Sequence, residues 1–164
     1  MISFKNQYFL RILFWALAVC TACLIFFFSS QISVESTNVS DSVTALIARI
    51  FVKGFKNMSE IDQYAVISSM NGFVRKAAHF SIYTVLAVFV TSALMTYPTL
   101  SIKLRSTYAM LICVAYASSD ELHQYFVPGR SCEIRDVFID SCGAALGILI
   151  ITLLLCIYKS KKAE

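Results

Sequence analysis

The chain has 164 residues, of which 58% are apolar and only 15% are Asp, Glu, Lys or Arg, against roughly 25% charged in a typical soluble domain. This excludes a disordered chain and counts against a soluble globule, because a chain of this size buries only about 70% of its unfolded surface and would leave much apolar area in water. The net charge of +4 comes from Lys and Arg scattered over loops and ends with no basic aromatic face, which argues against nucleic acid as a partner. The apolar residues gather in four long blocks, the pattern of an integral membrane protein whose first partner is the lipid bilayer.

The first block, Phe9 to Phe28, supplies about 30 Å of helix, with Arg11 near one end where it can reach headgroups. It exceeds the apolar core of a cleaved leader and no A-x-A-like site follows it, so an uncleaved anchor is expected. The second, Ala77 to Tyr97, stops at Pro98. The third, Ser106 to Ser119, is short because Asp120, Glu121 and His123 follow, yet the helical pattern continues to Val127 before Pro128-Gly129 breaks it. The fourth, Val137 to Tyr158, is closed by Lys159, Lys161 and Lys162. The expectation is an all-α, single-domain protein over residues 1–164: a four-helix membrane bundle with spans near 9–28, 77–97, 106–127 and 137–158. Cys20, Cys23, Cys113 and Cys156 read as small buried hydrophobes within it, and the Cys20-Thr-Ala-Cys23 spacing as helix packing.

Segment 31–74 is too long and too apolar for a tether. After a cap at Ser40 or Asp41, Val43, Leu46, Ile47, Ile50 and Phe51 recur at helical spacing, with Arg49, Lys53 and Lys56 nearby, predicting an amphipathic helix. A second starts at the capping box Ser59-Glu60-Ile61-Asp62. These helices either pack on the end of the bundle or form an interfacial lid.

Four spans place both termini on one side and bring three span ends together on the other. Arg75, Lys76, His79 and Tyr83 open the second span, Asp120 through Gln124 close the third, and Asp136 and Asp140 open the fourth. The 14 Lys and Arg divide evenly between the two sides. Arg49, Lys53 and Lys56 lie far from any span end, where the positive-inside rule has little force, so the termini are expected in the cytoplasm and the polar cluster outside the cell membrane.

Charges at membrane depth are rare unless they meet protein or trapped water, so several in one layer need one another. Arg75, His79 and Tyr83 step by four along one helix face. Asp120, His123 and Gln124 share a face, while Glu121 points about 100° away. One carboxylate could set the tautomer of His79 or His123, and the other could pair with Arg75 or Arg130. Asp136, Asp140, Gly143 and Gly147 share a stripe, and Gly143-x-x-x-Gly147 lets another helix approach closely, which also permits a dimer. Pro128-Gly129 fixes the height of Arg130, which could bind a phosphate or carboxylate or neutralise Glu121 or Asp136.

His79, Asp120, Glu121 and His123 are the candidate acid–base groups. Arg75, Lys76, Tyr83, Gln124, Arg130, Asp136 and Asp140 are the candidate ligand contacts. The His and Asp ligand types would suit a divalent ion, but no fixed metal-ligand spacing occurs, so no metal and no cofactor are expected. Ser81, Ser118, Ser119 and Ser131 lie in no nucleophile-elbow motif. A hydrogen-bonded ionic plug that keeps the bundle in register stands beside these readings.

Arg75-Lys76-Ala77-Ala78-His79-Phe80-Ser81-Ile82-Tyr83 and Ser119-Asp120-Glu121-Leu122-His123-Gln124-Tyr125-Phe126-Val127-Pro128-Gly129-Arg130, followed by Asp136-Val137 and Gly143, resemble the VanZ-like membrane proteins, as does the Phe28-Ser29-Ser30-Gln31 exit of the first span. One departure is Asp140 where Asn would be expected. The resemblance implies a small multi-pass bacterial envelope protein in a family whose founding member is associated with resistance to the glycopeptide teicoplanin. It implies motif positions at Arg75, Lys76, His79, Tyr83, Asp120, Glu121, Gln124, Pro128, Arg130, Asp136 and Gly143. Three roles follow as expectations: binding a lipid, a lipid-linked envelope precursor or a glycopeptide; membrane-embedded catalysis on such a molecule; or a structural or assembly role.

Overall fold

The computed structural model describes residues 4–163, the side chains of residues 4, 5 and 163 excepted. The predicted contribution of Lys5 to the charge of the N-terminal side therefore lies outside the described residues, as do the outermost residues of the 1–164 domain. The described residues form five α-helices, α1 (Phe4–Ser29), α2 (Ser33–Phe51), α3 (Glu60–Met95), α4 (Ile102–Tyr125) and α5 (Ile134–Ala163), with a 3-10 turn at Phe55–Asn57 and no strand.

Caps and breakers account for the ends of α3 and α4. Ser59 caps α3 by accepting from the Asp62 amide, and Ser101 caps α4 by accepting from the Leu104 amide. Pro98 stands in the gap between them. At the end of α4, Pro128 and Gly129, the latter at φ 79°, reverse the chain, and the Arg130 amide closes the turn on Val127 O at 3.1 Å. An L side chain at Gly129 would meet Ser33 as well as an unfavourable φ.

Two expectations about segment 31–74 are corrected. The capping box at Ser59 does not open a separate short helix. It opens the 36-residue α3, which runs unbroken through the predicted second span and is roughly 54 Å long. No turn residue separates the two stretches, and the lone Gly72 sits exposed within the helix. Likewise α2 begins at Ser33, its N-cap Ile32 offers no side-chain cap, and neither Ser40 nor Asp41 caps it. Both contact the Asn71 side chain instead, pinning α2 against the first half of α3. The side of α2 that packs is Thr44 and Ala48, while Val43, Leu46 (60% exposed), Ile50 (69%) and Phe51 face outward. Most of the predicted apolar stripe is thus exposed, while Ile47 is partly buried and Val43 borders a cavity.

α3 packs against all four other helices and is the axis of the fold. At one end, Arg11 on α1 donates to Thr96 Oγ1 (3.1 Å) and Thr96 O (3.0 Å) and lies over the Tyr97 ring, and Arg105 on α4 reaches Met95. At the other, the end of α4 meets the end of α1 through His123 and Ser30. α1, α4, α5 and the second half of α3 therefore run side by side.

The side-chain distribution is inverted relative to a soluble protein. Ala87, Ala93, Ala109, Ala117 and Ala144 are fully buried, whereas Phe9, Ile12, Phe27, Leu111, Leu149 and Leu153 are exposed. Small residues inside and large apolar residues outside suit a helix bundle in lipid, where close backbone approach provides the packing. Asn6–Ser29, Glu60–Met95 and Ile134–Lys162 are long and apolar enough to cross a membrane. α4, with Lys103, Arg105, Asp120 and Glu121 toward its ends, is not among them, so three of the four predicted spans meet that criterion.

Candidate functional site

The buried arc of α4 is Ala109, Cys113, Ala117, Asp120, Glu121 and Gln124, a seam at i, i+4, i+8, i+11, i+12, i+15 along one face. Such a seam takes in both 120 and 121 at its polar end. Glu121, expected to point away from Asp120, is therefore buried beside it. His123 is the residue left out. Its Nε2 meets Ser30 Oγ at 3.1 Å and its ring stacks on Phe26 with centroids 4.7 Å apart, so it stands on α1 and apart from the acids.

Asp120, Glu121 and Asp140 are 4%, 2% and 0% exposed, three carboxylates in one buried layer. Gln124 bridges two of them, its Nε2 donating to Asp120 Oδ2 (3.1 Å) and Glu121 Oε1 (3.3 Å). Glu121 Oε2 also accepts from the Glu133 amide at 3.0 Å. On α5, Asp140 lies 3.7 Å from His79 Nδ1, and Asp136 lies 3.7 Å from Lys76 Nζ. Tyr83, one turn from His79, is fully buried and its hydroxyl has no hydrogen-bond partner. Asp120 Oδ1 and both Asp140 oxygens are equally unpartnered. Buried polar atoms are normally satisfied, so four such atoms in one layer mark a site rather than ordinary packing.

Arg130 reaches none of the acids. Its Nη1 donates to Gln124 Oε1 at 2.9 Å, and its Nη2 to Ser36 Oγ at 2.7 Å and Phe28 O at 3.2 Å. The direct pairing of Arg130 with Glu121 or Asp136 is thus corrected: Gln124 stands between the guanidinium and the carboxylates. Burial, with the nearby Arg75 charge second, lowers the Arg130 guanidinium from its ordinary value. The expected pairing of Arg75 with an acid is absent among the described ion pairs, and Lys76 takes that place on Asp136.

Two cavities border this site. One, of about 270 Å³, is lined largely by apolar groups of α1, α2 and α3, including Ile25, Phe28, Val39, Val43 and Ile82. The other, of about 70 Å³, is polar and includes Ser33, Gln124, Ser131 and Asp136. Arg75, His79 and Arg130 line both. Ser36, which holds Arg130 together with the Phe28 carbonyl, carries no signal in the sequence, since it precedes the cap at which the first amphipathic helix was expected.

The acid stripe of α5 is positioned by its glycines. A Cβ at Gly143 would collide with Phe80 O, and one at Gly147 with Thr84 O. Thr84 Oγ1 lies 2.9 Å from Gly143 O, to which it can donate. Backbone-to-backbone approach of α3 and α5 is what sets Asp140 against His79. No group of three or more His, Cys, Asp or Glu that could hold a metal ion occurs among the described residues, and all six cysteines are free.

An all-helical protein with membrane-type helices and a layer of buried acids beside two cavities that share three lining residues is the class these features define. The chain belongs to the VanZ/LLP1 family, whose model matches residues 14–155 and so covers every residue of the layer. No curated protein and no solved structure matches it.

Proposed function

We propose that this VanZ/LLP1 protein crosses the bacterial cell membrane four times, with α4 as the third span in chain order, and binds an anionic amphiphile of the cell envelope, a lipid or lipid-linked precursor. The hydrocarbon chain occupies the apolar cavity, and the anionic head sits in the polar one against Arg75 and Arg130. Resistance to teicoplanin is the cell-level consequence where the bound molecule is an envelope precursor.

The observation that carries the reading is the sharing of Arg75, His79 and Arg130 by an apolar and a polar cavity. A lipid-facing slot ending in two guanidinium groups matches a molecule with an apolar tail and a charged head. Native mass spectrometry of protein extracted from its own membrane tests this. The wild type retains an anionic amphiphile, and Arg130→Ala, losing charge-assisted hydrogen bonds, retains at least about tenfold less. Equal occupancy in both proteins overturns the reading. For the cellular consequence, deletion of the gene lowers the inhibitory concentration of teicoplanin, and an unchanged value removes that part.

A second reading, an acid–base enzyme acting on the same kind of molecule, is favoured by the position of His79, which borders the polar cavity with Asp140 behind it. It requires that His79→Ala abolish turnover while folded yield is kept. Loss of folded protein in that variant instead makes the layer an ionic plug.

A further inference from the structure

We infer that the pocket takes up its anionic ligand together with a proton, which the buried carboxylates Asp120, Glu121 and Asp140 hold beneath it. The inference rests on the anionic-ligand reading above and adds a second, coupled ligand to the same site.

Charged and titratable groups face the layer from α3, α4, α5 and the connection after α4, with Cys113 buried further along the α4 seam. α3 brings Arg75, Lys76, His79 and Tyr83; α4 brings Tyr116, Asp120 and Glu121; α5 brings Asp136 and Asp140; the connection between them brings Arg130 and Glu133. α1 adds Cys23 near Tyr116 and the Phe28 carbonyl, and α2 adds Ser33 at the polar cavity and the Ser36 hydroxyl; the carbonyl and the Ser36 hydroxyl are occupied by Arg130. Of the cations, Lys76 is engaged by Asp136 and the exposed Arg75 makes no ion pair among the described residues. His79 stays 3.7 Å from Asp140, beyond hydrogen-bond length. Arg130 acts on Asp120 and Glu121 only through Gln124. Three carboxylates thus share one guanidinium at one remove and one imidazole.

The independent sign that something is wanting inside the layer is the hydroxyl of Tyr83. It is fully buried and unpartnered, as are Asp120 Oδ1 and both Asp140 oxygens. An anion entering the polar cavity competes with Gln124 for Arg130 and adds negative potential above the acids. The layer then carries charge that a buried site does not tolerate, and a proton cancels it. The proton also supplies a donor to a region that holds mostly acceptors. Because the acids interact, the proton belongs to the group as a whole. By linkage, whatever favours the protonated layer favours the ligand, so affinity rises as pH falls.

The experiment uses the full chain in detergent micelles and 1-palmitoyl-lysophosphatidylglycerol, whose single chain suits the slot and whose phosphodiester does not titrate near neutrality. Calorimetric titrations at pH about 6, 7 and 8, each in buffers of different ionisation enthalpy, report affinity and proton uptake separately. Expected is uptake approaching one proton per lipid at the upper end, with affinity tightening up to about tenfold for each unit of pH lost. Asp120→Asn and Asp140→Asn flatten the profile, whereas His79→Gln weakens binding but keeps the slope. Binding that is equal at all three pH values with no buffer dependence overturns the inference, and the wild-type profile alone decides this if the Asn variants do not fold. A slope lost in His79→Gln and kept in both Asn variants moves the proton to the imidazole and overturns the assignment to the carboxylates. No binding of the lipid at any pH refutes the anionic-amphiphile reading itself, an outcome distinct from binding without proton uptake.

Discussion

Gln124 is neutral, yet its amide serves three charged partners at once: Asp120, Glu121 and Arg130. Its sequence position at i+4 from Asp120 and i+3 from Glu121 makes the two carboxylate contacts available within one helix. The third depends on a chain reversal. Removing the amide leaves two buried carboxylates and a half-buried guanidinium without their bridge. Gln124→Leu is therefore expected to cost about 3 kcal/mol and to lower the thermal unfolding temperature in detergent, whereas a surface change such as Ser118→Ala shifts it little. Equal stability of the two variants would show that water replaces the bridge. At this scale the residue types of the layer were legible because charge within apolar blocks stands out. The partners were not: His123 has the chemistry and the spacing of an acid–base group, but its ring is taken by Phe26 and Ser30, residues that lie more than 90 positions earlier in the chain.

Apolar block length identified α1 and α5, and the capping box identified the N-terminal cap of α3, since each depends on neighbours close in the chain; helix periodicity identified only the stripe of α2. It misjudged the extent of α3, because a reading by hydropathy divides a helix where its surroundings change, while the backbone continues for as long as no residue breaks it. It also left open whether the apolar stripe of α2 packs on the bundle or faces the membrane interface, and the buried positions are Thr44 and Ala48. Periodicity reveals that a stripe exists and is silent on whether protein or lipid covers it. The α3–α5 contact is the element-level feature on which the site depends. Gly143→Ala, forcing a methyl group against Phe80 O, is expected to cost about 2 kcal/mol and to separate Asp140 from His79. Thermal unfolding in detergent measures the cost, and an alanine variant as stable as wild type would mean that the helices part freely.

For the molecule as a whole, the inverted distribution of small and large apolar residues supports a bundle built for lipid, and the proposed topology sets the acid layer near the extracytoplasmic side. Cys132, exposed in the connection after Arg130, is then accessible from outside. A membrane-impermeant maleimide applied to intact cells is expected to label the wild type and not Cys132→Ser, with a tag fused after the Lys159–Lys162 segment protected until the cells are opened. The opposite pattern inverts the orientation and places the cavities on the cytoplasmic side.

Composition and apolar block length were enough to determine a membrane-type helical protein, because a hydrocarbon solvent imposes local requirements that every segment must satisfy by itself. The motif residues were also enough to point to the family. Which carboxylates are buried, which histidine faces them, and that Gln124 rather than an acid receives Arg130 were decided only by the packing of α1, α3, α4 and α5. Side-chain direction around a helix is local, but its partner is supplied by another part of the chain, and no one-dimensional pattern contains that distance.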